Sequence, residues 1–299
     1  MIVAFGSMEK EDSQAVCNMV ALALAVTVLK RKRVVLIESG FGGRRVEEAV
    51  SGRQHNLIRE PFPYMEGVGM DYLIKRSRYD FLSERTAGGG LVHVTDTLSY
   101  VPGVLRTNRG IYEEEFGREC HNILKQLDKL ADYVFIDCGM VPEGLKYNIM
   151  EKADLMVLNV TQSGQILDEY FSFQPVCSEK LLYCIGNYIR DEPYNVKNIQ
   201  RLYRIDERQI GVIPYNVEFL SSLKKGKAVS FFSSYPVRTR SYRNKDFFSE
   251  LFKLADKVMR WEECDERQMV HEIYPAREED GQYRKKKDTF IGGIDPARG

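Results

Sequence analysis

The chain of 299 residues has no cysteine pair at C-x-x-C spacing, no clustered histidines, a single tryptophan and no net charge. Its six cysteines (Cys17, Cys120, Cys138, Cys177, Cys184 and Cys264) are scattered through apolar or mixed segments. That argues against a disulfide framework and against a zinc site. His55, His93, His121 and His271 lie far apart, and only His121 has a cysteine beside it. The charge balance, 43 Lys+Arg against 43 Asp+Glu, argues against a whole-surface nucleic-acid binder and leaves only local basic patches. The longest apolar run, Ala15 to Leu29, is shorter than the roughly 20 residues of a membrane span and contains Asn18. Glu9, Glu11 and Asp12 precede it where a signal peptide is basic, so the expectation is a buried helix of a cytoplasmic protein.

What is present is strand–helix alternation. Ile2 to Phe5 reads as a short strand ending at Gly6, and a polar loop runs from Ser7 to Asp12. An apolar helix follows from about Ser13 to Leu29, closed by Arg31, Lys32 and Arg33, whose charge suits a helix C-terminus. Val34 to Ile37 is a continuous apolar strand closed by Glu38, as strands buried on both faces are. The first 40 residues are thus a βαβ unit. Further on, Tyr112 to Leu130 has helical spacing, and Glu113, Glu114 and Glu115 favour that helix's N-terminal dipole. Tyr133–Ile136, Leu155–Val160, Leu181–Ile185 and Ile210–Ile213 read as strands. The stretch from Gly52 to Gly110 is less regular: loops, a helix near Met70 to Tyr79, and one or two strands, of which Leu91 to Val94 is one. Asp246 to Trp261 reads as a terminal helix. The expectation is one three-layer, doubly wound α/β domain over residues 1–261, with about seven mainly parallel strands, and a polar tail over 262–299. There is no internal repeat.

Five segments in order carry a family resemblance. They are the first strand, loop and helix with Asn18, followed by the strand ending in Glu38; Asp132 to Asp137; Ala153 to Leu158; Gly186-Asn187; and Gly211 to Asn216 with Phe219, Leu220 and Gly226. Together they resemble the MinD/ParA family of deviant P-loop ATPases, and within it the TadZ/CpaE pilus-localisation branch. The resemblance covers roughly residues 1 to 260, without the receiver-like domain that often precedes it in that branch. It implies a P-loop NTPase-like fold, ATP and Mg2+ as cofactors, and a homodimer. It also implies protein partners in a pilus, secretion or partition machine.

The departure lies in the phosphate loop. The family pattern K-G-G-x-G-K-[ST]-[ST], counted back from Asn18, places Ser13 and Gln14 at the two hydroxyl positions and Asp12 at the invariant lysine. Met8, Glu9 and Glu11 take the glycine positions, and Ser7 the signature lysine. Such a loop holds a triphosphate with inward backbone amides and a positive lysine. Here three carboxylates stand where phosphates would lie, and like charges ~4 Å apart repel by about 1 kcal/mol in water and more when partly buried. ATP binding is therefore expected to be weak or absent, and hydrolysis weak or absent with it.

The remaining positions fit a retained scaffold. The resemblance makes Glu38 and Asp137 the catalytic carboxylates if the chain is active, and Ser13 with Asp137 the magnesium ligands when nucleotide is bound. It makes Ser13, Gln14, Asn187, Pro214 and Tyr215 the nucleotide contacts. Plainer readings stand beside these: Ser13 as a helix N-cap, Asn187 as a turn residue, Pro214 as a strand-end breaker. Three functions are weighed. The first is a degenerate ParA/MinD-like positioning or assembly factor. The second is an active ATPase with an atypical loop. The third is a non-specific DNA binder using Arg238, Arg240, Arg243 and Lys245, against a solvated loop as its bland alternative. A dinucleotide enzyme is set aside because the first turn lacks G-x-G-x-x-G. Residues 262–280 lack the bulky apolar face of a membrane-surface helix.

Overall fold

A computed structural model describes residues 1–8, 14–43, 45–51, 68–79, 82–104, 108–139, 141–173 and 180–261. Eight strands are present among them: β1 (Ile2–Ser7), β2 (Val34–Glu38), β3 (Val92–His93), β4 (Leu98–Val101), β5 (Tyr133–Asp137), β6 (Leu155–Val160), β7 (Leu181–Tyr188) and β8 (Ile210–Pro214). The first helices are α1 (Gln14–Lys30), α2 (Arg45–Ser51), α3 (Met70–Arg78), α4 (Glu84–Gly89), α5 (Arg109–Leu130) and α6 (Glu143–Lys152). They continue with α7 (Gly164–Phe173), α8 (Val196–Tyr203), α9 (Val217–Lys224), α10 (Ala228–Ser233), α11 (Tyr235–Arg238) and α12 (Tyr242–Met259). The sheet order is β3-β4-β2-β5-β1-β6-β7-β8. Every pairing is parallel except β3 with β4, a short antiparallel hairpin that closes one edge.

Both faces of the sheet are apolar because successive side chains on a strand alternate between them. Ile2, Ala4, Val134 and Ile136 pack on one side with Leu73, Phe116, Ile123 and Ile149 from α3, α5 and α6. Val3, Phe5, Tyr133 and Phe135 pack on the other with α1, α10 and α12. That second layer holds an aromatic cluster in which Phe219, Phe231, Phe232, Phe247 and Phe248 lie with ring centroids 5.1–6.5 Å apart. α1 is buried along Ala15–Val16 and Asn18–Thr27, which explains its near-total lack of polar residues.

The elements follow the periodicities, with local differences of physical origin. α5 begins at Arg109 because Asn108 caps it, its side chain accepting a hydrogen bond from the Ile111 amide at 3.1 Å. α12 begins at Tyr242, about one turn before its first deeply apolar positions. Leu98–Val101 is the second strand from the edge, parallel to β2 and antiparallel to β3. The acidic run on α5 is spent in ion pairs, Arg109–Glu113 at 2.6 Å, Arg118–Glu114 at 2.7 Å and Arg78–Glu115 at 2.9 Å. Among the basic residues closing α1, Arg31 takes a left-handed φ of 49°, and Arg33 donates its amide to Asp132 at 2.7 Å. The tail expected from residue 262 lies outside the described residues.

Candidate functional site

In a doubly wound sheet the ligand crevice opens beyond the C-terminal strand ends where the winding direction reverses. Here β2 to β5 lie on one side of β1, and β6 to β8 on the other, so the reversal falls between β1 and β6. A cleft of about 320 Å³ opens there. Ser7 and Met8 from the end of β1, Gln14 and Asn18 from α1, and Asn159 to Ser163 from the end of β6 onward line it, with Gly186 and Asn187 near the end of β7 and Ile189 and Glu192 beyond it.

Its floor is a chain of carboxamides. Asn18 Nδ2 donates to Asn159 Oδ1 at 2.7 Å, and Asn159 Nδ2 donates to the Gly6 carbonyl at 2.7 Å. Both side chains are buried. The Met8 amide donates to the Asn159 carbonyl at 3.2 Å, so the chain leaving β1 stays attached to β6. Gly186 lies over this floor: a Cβ there would stand 2.2 Å from Asn18 Nδ2. Asn187 adopts φ 46°, a left-handed conformation that Asn tolerates, where the β7–β8 pairing is irregular between Ile185 and Tyr188. The rim is fastened by Gln162. Its carboxamide accepts from the Ile189 amide at 2.8 Å and donates to the Ile189 and Tyr194 carbonyls, each at 3.0 Å.

The two carboxylates singled out in the sequence lie on the other side of β1. Glu38 and Asp137 are register partners at the ends of β2 and β5, and Asp137 is in turn opposite Phe5 of β1. Both are buried. Glu38 is held by its own loop: Arg45 Nε donates to Oε1 at 3.2 Å and the Val46 amide to Oε2 at 3.2 Å. The turn at Gly43 runs so close that a Cβ there would lie 2.6 Å from the Glu38 carboxyl carbon. The carboxylate therefore anchors the start of α2. The Ser39 hydroxyl bonds to the Asp137 carbonyl, and the Tyr112 hydroxyl donates to the Ser39 carbonyl at 2.7 Å, joining the two strand ends to α5. Beside Asp137, burial above all and the neighbouring carboxylate raise the Cys138 thiol well beyond the usual range, and burial pushes Cys120 up to about 12. Neither is a nucleophile near neutral pH.

The structure therefore brings Gln14 and Asn187 into one cleft and leaves Glu38 and Asp137 outside its lining. Pro214 and Tyr215 are also outside it, at the end of β8, where the Tyr215 amide donates to the Tyr188 carbonyl at 3.0 Å and its ring is half exposed. Asn216 caps α9, accepting from the Phe219 amide at 2.9 Å, and donates to Asn244 Oδ1 at 2.8 Å. Ser13, and the Glu9, Lys10, Glu11 and Asp12 positions of the altered loop, lie outside the described residues. Of the four basic residues, Arg238 is engaged internally. It pairs with Glu218 at 2.7 Å and lies 4.7 Å from the Phe231 ring centroid. Arg240, Arg243 and Lys245 are exposed.

Asn159 and Gln162 are the site residues the sequence reading passed over. The signal for Asn159 was a lone amide in the apolar run Leu155–Val160; nothing marked Gln162. Among the described residues the cleft lining carries no cationic side chain, and its one charged member is Glu192. The Asn18, Asn159 and Gln162 carboxamides are committed to internal hydrogen bonds, so they shape the cleft and hold its rim. Also among the described residues, no group of three or more His, Cys, Asp or Glu could hold a metal ion, and no helix is long and apolar enough to cross a membrane.

No protein-family model matches the chain, and no curated protein matches it either. Solved structures do. A ParA family ATPase from Chlorobium tepidum TLS superposes with a TM-score of 0.61 at 16% identity, over 85% of this chain and 96% of that one. The septum site-determining protein MinD from Pyrococcus horikoshii OT3, complexed with Mg-ADP, gives 0.58 at 13% identity, over 87% and 98%. A plasmid partition protein from Borrelia burgdorferi B31, bound to AMPPNP, gives 0.56 at 14% identity, over 86% and 98%. At these identities the likeness is one of fold. The three-layer, mostly parallel sheet is that of the ParA/MinD-type P-loop ATPases.

Proposed function

We propose that this chain is a degenerate ParA/MinD-like protein: a cytoplasmic positioning or assembly factor for a pilus, secretion or partition machine, with weak or no ATP hydrolysis. One combination carries the reading. The chain superposes on a ParA family ATPase over 85% of its length and opens a cleft at the C-terminal strand ends where the winding reverses. Yet the sequence that follows Met8 is Glu9-Lys10-Glu11-Asp12 where glycines and a lysine would cradle phosphate, and Glu192 is the one charge on the described lining. Coulomb repulsion from these groups opposes a polyanion. Affinity for the TadZ/CpaE branch and homodimerisation belong to this proposal, as do weak ATP and Mg2+ binding through Ser13, Gln14, Asn187, Pro214, Tyr215 and Asp137. Isothermal titration with ATP and Mg2+ tests it. Heat consistent with no more than millimolar affinity, and no phosphate release, is expected; micromolar binding with turnover overturns it.

A second reading, an active ATPase with an atypical loop, is favoured by Asp137, a buried carboxylate at the end of the strand next to β1. On that reading Asp137→Ala abolishes a phosphate release that the unaltered protein shows. A protein with none to abolish disposes of it. The DNA-binding reading draws on three residues rather than four, because Arg238 is committed to Glu218 and Phe231. A low-salt gel shift without a complex removes it.

A further inference from the structure

The face that carries the C-terminal strand ends continues past β8 onto the start of α12, and there it changes character. Arg240, Arg243 and Lys245 are exposed, and no ion pair involves any of them among the described residues. The acids that could balance them are engaged elsewhere. Asp246 pairs with Arg190 at 3.0 Å, and Glu218 accepts from Arg238 at 2.7 Å and from Asn244 at 3.3 Å. Two apolar side chains stand among these cations in open solvent, Val237 at 62% exposure and Tyr242 at 77%. The first turn of α12 contains no acidic residue, so its cations meet the positive end of the helix dipole uncompensated. The result is a basic surface with apolar anchors and, among the described residues, no paired counter-charge.

The chain itself holds a segment of matching chemistry. Between Glu262 and Asp280 there are eight carboxylates (Glu262, Glu263, Asp265, Glu266, Glu272, Glu278, Glu279 and Asp280) against Arg267 and Arg277, with Val270, Ile273 and Tyr274 between them. It begins one residue after Trp261, close behind the far end of α12. That end lies at the opposite end of the strands from the basic surface, because Lys257 donates to the Ile210 carbonyl at the start of β8 while Asn244 bonds Asn216 beyond its end. An 18-residue helix is about 27 Å long, and an extended chain covers ~3.3 Å per residue. About eight residues thus make the return, leaving the second half of the acidic segment to lie on the surface. Tethering gives such a pairing an effective concentration in the millimolar range, enough for contacts individually weak.

We propose that the acidic segment between Glu262 and Asp280 docks in cis on the Val237–Arg240–Tyr242–Arg243–Lys245 surface and covers it, setting negative charge beside the mouth of the candidate site. The inference does not depend on nucleotide binding or hydrolysis by the chain. Its test uses the full-length protein and a zero-length carbodiimide, which joins a lysine amine to a carboxylate in contact with it. Peptide mass spectrometry of the monomer band should find Lys245 joined to carboxylates of residues 272–280. Lys125, exposed on α5 across the sheet, is the reference for random encounter. The Lys245 product should exceed the Lys125 product about tenfold at low salt and fall to its level near 0.5 M salt, where the Debye length is about 4 Å. A full-length variant with the eight acids changed to Asn or Gln should instead expose the first turn of α12 to faster amide exchange. Equal Lys245 and Lys125 yields overturn the proposal. So do products from Lys285, Lys286 and Lys287 in place of Lys245, which would mean the tail pairs with itself. Lys245 products confined to a covalent dimer would move the contact to a second copy and equally overturn the cis assignment. Exchange at α12 unchanged in the neutral variant does the same.

Discussion

Replacing Asn159 by alanine removes two buried hydrogen bonds at once. Its Nδ2 no longer reaches the Gly6 carbonyl at 2.7 Å, and its Oδ1 no longer accepts from Asn18 at 2.7 Å. Both asparagines are almost fully buried, 2% and 5% exposed, so the cleft's water has little access to the groups left behind. Each stranded donor or acceptor costs about 1–3 kcal/mol, and some relaxation is expected, so the substitution should destabilise by about 2–4 kcal/mol. For a domain of this size that corresponds to a melting temperature lower by roughly 5–15 °C. The asymmetry between removing one partner and removing both gives a sharper test. Asn18→Leu alone strands Asn159 Oδ1, whereas Asn18→Leu with Asn159→Leu replaces the pair by apolar groups and strands only the Gly6 carbonyl. The double variant should be more stable than the summed losses of the two single leucine variants predict, by about 1 kcal/mol or more. Urea unfolding followed by far-UV circular dichroism supplies the four free energies, with an unchanged m-value showing that the unfolded state is the same. Single-variant losses under about 0.5 kcal/mol, or strictly additive ones, would refute the claim that these carboxamides form one closed network.

Gly186→Ala places a methyl 2.2 Å from Asn18 Nδ2 and should cost about 1–3 kcal/mol by overpacking; a melting temperature equal to the parent's would show that Asn18 moves aside freely. Arg45→Met leaves the Glu38 carboxylate buried with the Val46 amide at 3.2 Å as its remaining hydrogen-bond donor among the described residues, and should destabilise by about 2 kcal/mol, less than a fully buried pair because Arg45 is partly exposed. Adding Glu38→Gln should restore part of that loss, and urea unfolding of the pair reads it out. The Cys120 thiol, pushed up to about 12 by burial, stays protonated in the folded chain where an unfolded thiol ionises from about pH 8.5. Above that value the unfolded state binds fewer protons, so stability should fall as pH rises from about 9 toward 12, and Cys120→Val should flatten the slope of urea midpoints measured between about pH 8 and about pH 10. Both Cys120 and Cys138 should also resist alkylation until the protein unfolds, and rapid labelling of either in the native state would contradict their burial.

The strands legible in the sequence are those whose burial leaves a one-dimensional trace. Val34–Ile37, Tyr133–Ile136 and Leu155–Val160 are unbroken apolar runs because both faces of a parallel strand are covered. The strand at Leu98–Val101 is as buried as these, yet it is only four residues long and contains Ser99 and Tyr100, so nothing in its composition separates it from a loop. Helix starts were read late wherever the first turn is polar, as at Arg109 and Tyr242, since periodicity sees only the apolar face.

The sequence by itself determined the layer architecture, the order of the strands along the chain, and the placing of Glu38, Asp137, Asn187 and Pro214 at or just beyond strand ends. Local pattern suffices for these, because side-chain alternation and helical spacing are properties of consecutive residues. Partner choice was decided only by the tertiary structure. Asn159 meets Asn18 across 141 positions and Gly6 across 153, and Ser39 meets Asp137 across 98. The partners of Glu38, Arg45 and the Val46 amide, are brought onto it by the turn at Gly43, and Arg238 looked like one of four equivalent surface cations until α11 set it over Phe231 and against Glu218. Burial is written in a residue's near neighbours along the chain, whereas the group that satisfies a buried charge or amide is chosen by how distant segments pack.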